Sequence, residues 1–248
     1  MRQVPHILNS RPLLLIGSGR LAQSLSYYFD LEKIAFHLWS RRNGNLKDLQ
    51  QKIDQAETVL LAISDSSLES FIEEHDLQDK TCVHFSGTLT VKAAWSFHPL
   101  MTFSEETLSP ETLRSMHFVL QEGSPSLNIL GLKNPFSYLA NDKRALYHAL
   151  CAMSGNFSVL LWEYTIQRFE KDLGLKGEVL KPYLHKIFEN LGEVASDRRL
   201  SVLTGPLARG DFGTIEKHLS ALQGDPMKQV YEAFVSAYQQ RNSHEKHS

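Results

Sequence analysis

Short, continuous apolar runs alternate with helical patterns through the first half of this chain. Residues 13–16 read as a buried strand and 20–29 as a helix, then 34–39 as a second strand and 46–55 as a second helix. A third strand at 58–63 leads into a short helix near 68–74, and runs at 81–85 and 117–121 supply a fourth and a fifth strand. Strands that stay apolar on both faces and are separated by helices belong to a mostly parallel sheet covered on both sides. The pattern changes near Asn141. Residues 142–173 keep helical periodicity for about eight turns, with Asn141 or Asp142 as the cap and Gly174 as the stop. Three further helical stretches follow at 181–191, 212–222 and 226–240, the last opened by Asp225 as cap and Pro226 at the first helical position. The expected fold is α/β: a doubly wound, mostly parallel sheet over residues 1–140, then an all-helical domain over 141–248.

Composition narrows the classes of partner. A formal net charge of -2 on 248 residues gives no general nucleic-acid-binding surface. No apolar run approaches the roughly 20 residues that span a membrane, so no membrane partner is expected. Residues 1–10 carry Pro5, His6 and Asn9 and no apolar core of the signal-peptide kind. Cys82 and Cys151 form no CxxC pair and suit a reducing compartment, so the expected location is the cytoplasm. Eleven histidines are many, but none fall in HExxH or other paired metal-ligand spacing, and no metal is expected. The polar tail, 241–248, is expected to fray.

The most informative segment is Gly17-Ser18-Gly19-Arg20-Leu21-Ala22, a GxGxxA turn directly after a predicted strand and at the start of a predicted helix. In that context it is expected to be a dinucleotide-binding (Rossmann) turn, the alternative being a tight strand–helix turn with no ligand. Gly17 permits the tight turn, Gly19 lets a pyrophosphate approach the backbone, and Ala22 lets the helix pack closely on the sheet. The helix-start amides then face the phosphates. The second strand ends in Ser40-Arg41-Arg42, where an NAD-specific fold carries an acidic residue. A guanidinium can pair with a ribose 2′-phosphate and Ser40 can donate a hydrogen bond, so the expected cofactor is NADP. Ile63 and Ser64 end the third strand, where ligand loops cluster in such sheets, and Ser86 follows the fourth.

The glycine turn, Ser86-Gly87 and Ser96-Phe97-His98-Pro99-Leu100 resemble the Rossmann-like proteins that carry an uncharacterised helical C-terminal domain. These are similar in architecture to 6-phosphogluconate dehydrogenase, pyrroline-5-carboxylate reductase and deazaflavin-dependent NADP reductases. Tyr147-His148-Ala149, Ser154-Gly155-Asn156-Phe157 and 203–211 (Leu-Thr-Gly-Pro-Leu-Ala-Arg-Gly-Asp), with Thr214 and His218 beyond, look like signatures of the same group. The resemblance covers nearly the whole chain. It implies a helical domain of the 6-phosphogluconate dehydrogenase C-terminal type and a nicotinamide cofactor, and it names no substrate.

Candidate chemistry sits in four places. His98-Pro99, expected on a loop after the fourth strand, offers either an acid/base imidazole near the nicotinamide or a proline-shaped turn. The segment also resembles the His-Pro segment of prephenate dehydrogenases. His148 and Asn156, eight residues apart on one expected helix, are either an acid/base and orienting pair or a buried structural pair. In related hydroxyacid dehydrogenases and ketopantoate reductases a Lys stands four residues before such an Asn. Here that position is Ala152, and His148 is the substitute one turn earlier. Arg209 can clamp a substrate carboxylate or phosphate or pair with Asp211, whose simpler job is N-cap of the next helix. The aromatic residues on the long helix have packing spacing, and Cys151 reads as an inert thiol.

The sequence therefore points to an NADP(H)-dependent oxidoreductase. It is expected to act on a small polar substrate held between the two domains and to form a homodimer through the helical domain. Two alternatives stand beside it: a non-catalytic NADP-binding sensor or partner-binding protein, motivated by the missing lysine, and a prephenate-dehydrogenase-like enzyme, motivated by His98-Pro99.

Overall fold

The computed structural model describes residues 11–197 and 202–245. The readings made for 1–10 and for 246–248 lie outside the described residues. The chain divides into two compact units, Met1–Glu163 and Tyr164–Ser248.

The first unit is built on a seven-stranded sheet. Its strands are β1 (Leu13–Ile16), β2 (Phe36–Trp39), β3 (Thr58–Leu61), β4 (Thr81–His84), β5 (Trp95–Pro99), β6 (Phe118–Gln121) and β7 (Phe136–Leu139). Their spatial order is β2-β1-β3-β4-β5-β6-β7, parallel throughout except where β6 runs antiparallel to β5. Alternate residues of each strand feed opposite faces. Leu13 and Leu15 of β1, Leu60 of β3 and Val83 of β4 pack on one face with Leu25, Tyr28 and Phe29 of helix α1 (Arg20–Leu31). Leu14, Ile16, Val59, Leu61 and Cys82 pack on the other with Leu49 and Ile53 of α2 (Leu46–Gln55) and Phe71 and Ile72 of α3 (Leu68–Glu74). A sheet apolar on both sides with helices on both sides is the doubly wound arrangement the sequence pattern predicts.

Two strands escape the sequence reading. His98, expected on a loop, lies within β5, with His84 of β4 opposite Ser96 and Val119 of β6 opposite His98. Pro99 argues against a strand in sequence, but it stands at the end of β5, and the neighbouring Leu100 N makes the next bond, to His117 O at 2.8 Å. The exposed edge strand β7 has no run of apolar burial to betray it. Helix α4 (Pro110–Ser115), capped by Ser109, connects β5 to β6.

The helix expected to run unbroken through 142–173 is divided. It forms α5 (Arg144–Ser154) and α6 (Asn156–Asp172). Gly155 sits between them at φ -93° and ψ -80°, still donating to Cys151 O at 2.9 Å. The Ser154 hydroxyl bonds back to Leu150 O at 2.9 Å, and a Ser-Gly pair with such a bond bends a helix. His148 and Asn156 consequently belong to different helices.

In the second unit follow α7 (Lys181–Ser196), a four-residue turn of helix α8 (Pro206–Arg209), α9 (Phe212–Ala221) and α10 (Met227–Glu245). Asp211 caps α9, accepting from Thr214 N at 3.1 Å. Asp225 accepts from Met227 N at 2.8 Å at the start of α10, and also binds the Tyr164 hydroxyl and Arg168. α10 continues to Glu245, so 241–245, expected to fray, are helical.

Candidate functional site

The carboxyl ends of β1, β2 and β3 surround a cleft of about 450 Å³, lined by Gly17, Ser18, Gly19, Ser40, Arg41, Arg42, Ile63 and Ser64 among others. The chain order reverses across β1, with β2 on one side and β3 on the other, and open α/β sheets bind ligands at such a switch point. The two glycines of the turn differ in what they do. Gly17 has φ +150°, and a Cβ there would stand 2.3 Å from Ala62 O, so the fold itself excludes a side chain. Gly19 has φ -77°, and a Cβ there would meet nothing. Packing does not require glycine at Gly19; the open space lies in front of the α1 amino end, whose cap makes no side-chain hydrogen bond. Free amides at a helix start beside open space are the arrangement that can receive an anionic group.

The next turn is closed by backbone bonds from Asn43 N and Gly44 N to Ser40 O, at 3.1 and 3.0 Å. A Cβ on Gly44 would fall 2.2 Å from Trp39 Nε1, so the chain folds down over the indole. The turn thereby carries Arg41 and Arg42 exposed at its tip, with Ser40 buried at its base. Among the described residues neither arginine makes an ion pair, and no carboxylate lines the cleft. Arg20 and Leu21 open α1 outside the cleft lining, and Arg20 reaches Glu105 at 3.4 Å. Ser86 also lies outside it. Its hydroxyl donates to Asp65 Oδ2 at 2.7 Å and accepts from Leu89 N at 3.1 Å, which ties the β4 loop to the β3 loop.

A second polar cluster gathers at the ends of β4 and β5. His98 Nδ1 and the Tyr147 hydroxyl share a hydrogen bond of 2.7 Å, and the His148 ring meets the His98 ring edge to face at 5.4 Å. A Cβ on Gly87 would lie 2.3 Å from His148 Nδ1, so Gly87 is what admits the His148 ring against this turn. Arg144 is 0% exposed, and its Nη2 donates to the Ser96 hydroxyl and to Ser86 O. Burial lowers the His98 pKa to about 4, helped by His148 and Arg144 and opposed by Asp65, so His98 is neutral near pH 7. Burial and Arg144 do the same to His84, also about 4. Burial and the neighbouring Cys151 raise Tyr147, which keeps its phenol proton.

Arg144, Tyr147, His148 and Cys151 share one face of α5 at spacings of three and four. That face is turned inward, while Leu146, Leu150 and Met153 on the other faces are exposed, Leu146 at 63%. The helix is amphipathic in reverse. Sequence reasoning singled out His98 and His148 but passed over Tyr147 and Arg144 as site residues. The available signal was the run of polar residues at helical spacing, which reads as a solvated face until the sheet is seen beneath it.

Of the remaining candidates, Asn156 belongs to the first unit and Arg209 and His218 to the second. Asn156 is exposed at the first residue of α6 and shares no hydrogen bond with His98 or His148. Arg209 is exposed on α8 and lines a cleft of about 390 Å³ in the second unit with Phe212, Tyr238 and Asn242. His218 bonds the Tyr231 hydroxyl at 2.8 Å, a tie between α9 and α10.

Residues 129–238 match the family described as Domain of unknown function (DUF2520). No protein of curated function matches the chain in sequence. Solved structures share the fold over most of its length. The "putative NADP oxidoreductase" BF3122 of Bacteroides fragilis is 21% identical, with 92% of this chain and 97% of that one covered and a TM-score of 0.71. The imine reductase of Streptomyces aurantiacus is 15% identical, covers 93% and 94%, and has a TM-score of 0.62. The reductive aminase of Aspergillus terreus, solved with NADPH and ethyl levulinate, is 16% identical, covers 92% and 95%, and has a TM-score of 0.52. The chain is thus a Rossmann-like α/β protein with a helical C-terminal part.

Proposed function

We propose that this protein is a cytoplasmic NADP(H)-dependent oxidoreductase of small polar substrates that works as a homodimer. The observation that carries the reading is the cleft at the ends of β1 to β3, where an open glycine cradle and a carboxylate-free arginine turn face the same space. Gly17, Ser18, Gly19 and the α1 amides would hold the diphosphate, with Arg20 and Leu21 opening that helix. Ser40, Arg41 and Arg42 would hold the 2′-phosphate, and Ile63 and Ser64 would line the path onward. Ser86 would shape the loop at the far end. The oxidoreductase, imine reductase and reductive aminase neighbours support this assignment.

Bound there, the cofactor supplies or accepts a hydride. The chain's own part is the proton. In the tautomer where His98 Nδ1–H donates to the Tyr147 oxygen, the phenol proton points away from His98, on the side of Cys151, and would be offered to the substrate. Tyr147 would give up that proton to the substrate, its oxygen then held by the His98 Nδ1–H hydrogen bond until a proton returns from solvent. His148 holds the His98 ring from its edge. Asn156 and Arg209 are proposed on sequence grounds as polar anchors for the substrate. The convergence of His98, Tyr147 and His148 favours a catalyst over a non-catalytic sensor. Two unpaired cysteines fit a reducing cytoplasm, and the exposed apolar face of α5 and the start of α6 fits a second copy of the chain.

The test is consumption of reduced nicotinamide against a panel of small oxo and imino compounds. Tyr147→Phe should lower kcat by about 10²–10⁴-fold with NADPH binding unchanged. A Tyr147→Phe enzyme as active as the parent would remove the proton route.

A further inference from the structure

The cluster behind the His98–Tyr147 pair has more donors than it has acceptors. Arg144 Nη2 is satisfied by the Ser96 hydroxyl and Ser86 O, but Arg144 Nε and Nη1 are buried and meet no acceptor among the described residues. His84, 0% exposed, accepts from Ser86 N through Nδ1, so its proton sits on Nε2, which also has no partner. His148 Nδ1, pressed against Gly87, is buried and unpartnered as well. Two of the three side chains bond the Ser86–Gly87 turn and the third packs on it.

Among the described residues no carboxylate pairs with the guanidinium. Asp65, the acidic group that acts on His84 and His98, is committed to the Ser86 hydroxyl and makes no ion pair with Arg144. Tyr147 stays protonated and the nearby imidazoles of His84 and His98 stay neutral. A buried cation without a counter-charge is costly, and so is each buried N–H left without an acceptor. An oxyanion answers both needs.

We propose that the Arg144–His84–His148 cluster around the Ser86–Gly87 turn is the seat of a carboxylate on the substrate. The substrate class is then small oxo or imino acids, with the carboxylate held beside the His98–Tyr147 pair. Identifying the anion's carrier as substrate rests on the oxidoreductase reading above; the seat itself does not. The Arg144 and His84 donors are buried, beneath the half-buried rings of Tyr147 and His148 on the same face of α5 as Arg144.

The experiment is a calorimetric titration of the full chain with pyruvate, with uncharged methyl pyruvate, and with inorganic phosphate, each without and with NADPH. Saturable binding of pyruvate, none of methyl pyruvate, and a loss of about tenfold or more in Arg144→Lys, which keeps the charge but not the planar fork, is the expected result. His84→Asn, which keeps an acceptor for Ser86 N but removes the Nε2 donor, should weaken pyruvate as well, and it serves alone if Arg144→Lys does not fold. Phosphate binding as tightly as pyruvate would overturn the carboxylate assignment. No saturable binding of either anion would overturn the seat altogether. NADPH titrated into the same samples reports separately on the oxidoreductase reading, because its cleft shares none of these residues.

Discussion

At the scale of single residues, the two glycines of the first turn separate fold from function. Gly17→Ala places a Cβ 2.3 Å from Ala62 O at a φ of +150°. It should cost at least about 2 kcal/mol of stability, read as a lower unfolding midpoint in urea. Gly19→Ala meets nothing in the chain and should cost under about 1 kcal/mol, yet weaken NADPH roughly tenfold or more because the methyl fills the diphosphate cradle. Equal effects of both changes on stability would mean that Gly19 is there for packing. The sequence marked both glycines by their motif, but only the contacts around each tell which is structural. Arg144 was illegible for the opposite reason: an arginine at a helix start is ordinary in sequence, and only its place under the sheet ends makes it a buried cation without a carboxylate.

The buried histidines set a pH dependence at the same scale. His84 has its pKa depressed by burial from 6.5 to about 4. The unfolded chain therefore takes up a proton below pH 6.5 that the folded chain refuses until near pH 4. The stabilisation is whole above pH 6.5 and is lost as pH falls through that window, on the order of 3 kcal/mol for a fully depressed histidine. Urea unfolding at pH 7, 5.5 and 4.5, about the ends and middle of that window, should show the loss. His84→Asn should flatten the slope, and an unchanged slope would remove His84 from the account.

At the scale of elements, periodicity found α1, α2, α3 and the four strands that are buried on both faces, because apolar runs and amphipathic turns are what burial selects. It failed where burial and periodicity part company. β5 ends in proline and β7 is exposed, so neither shows a clean run. α5 has its polar face inward, so its pattern gives the right element and the wrong orientation. The outward Leu146, Leu150 and Met153, continued by Phe157 and Leu160, form an apolar surface that one copy of the first unit leaves uncovered. Leu146→Glu with Leu150→Glu should convert a dimer to a monomer in light scattering while NADPH binding persists. A parent chain already monomeric at tens of micromolar, roughly the range where a functional dimer should persist, would contradict the homodimer proposal.

At the scale of the whole molecule, the α/β-then-helical order was readable because a parallel sheet and a helical bundle leave different hydrophobic periods. The fold alone does not choose a reaction. What makes NADP the proposal is local: a glycine left open where packing does not need it, and two exposed arginines with no carboxylate beside them. The decisive measurement is calorimetric titration of the purified chain with NADPH and with NADH, alongside Arg41→Ala and Arg42→Ala. Tight NADPH binding, weak NADH binding, and a loss of about 10- to 100-fold for NADPH alone in at least one variant are expected. Equal affinity for the two cofactors, unchanged in both variants, would contradict the NADP proposal, and binding of neither would leave the glycine turn as fold without function.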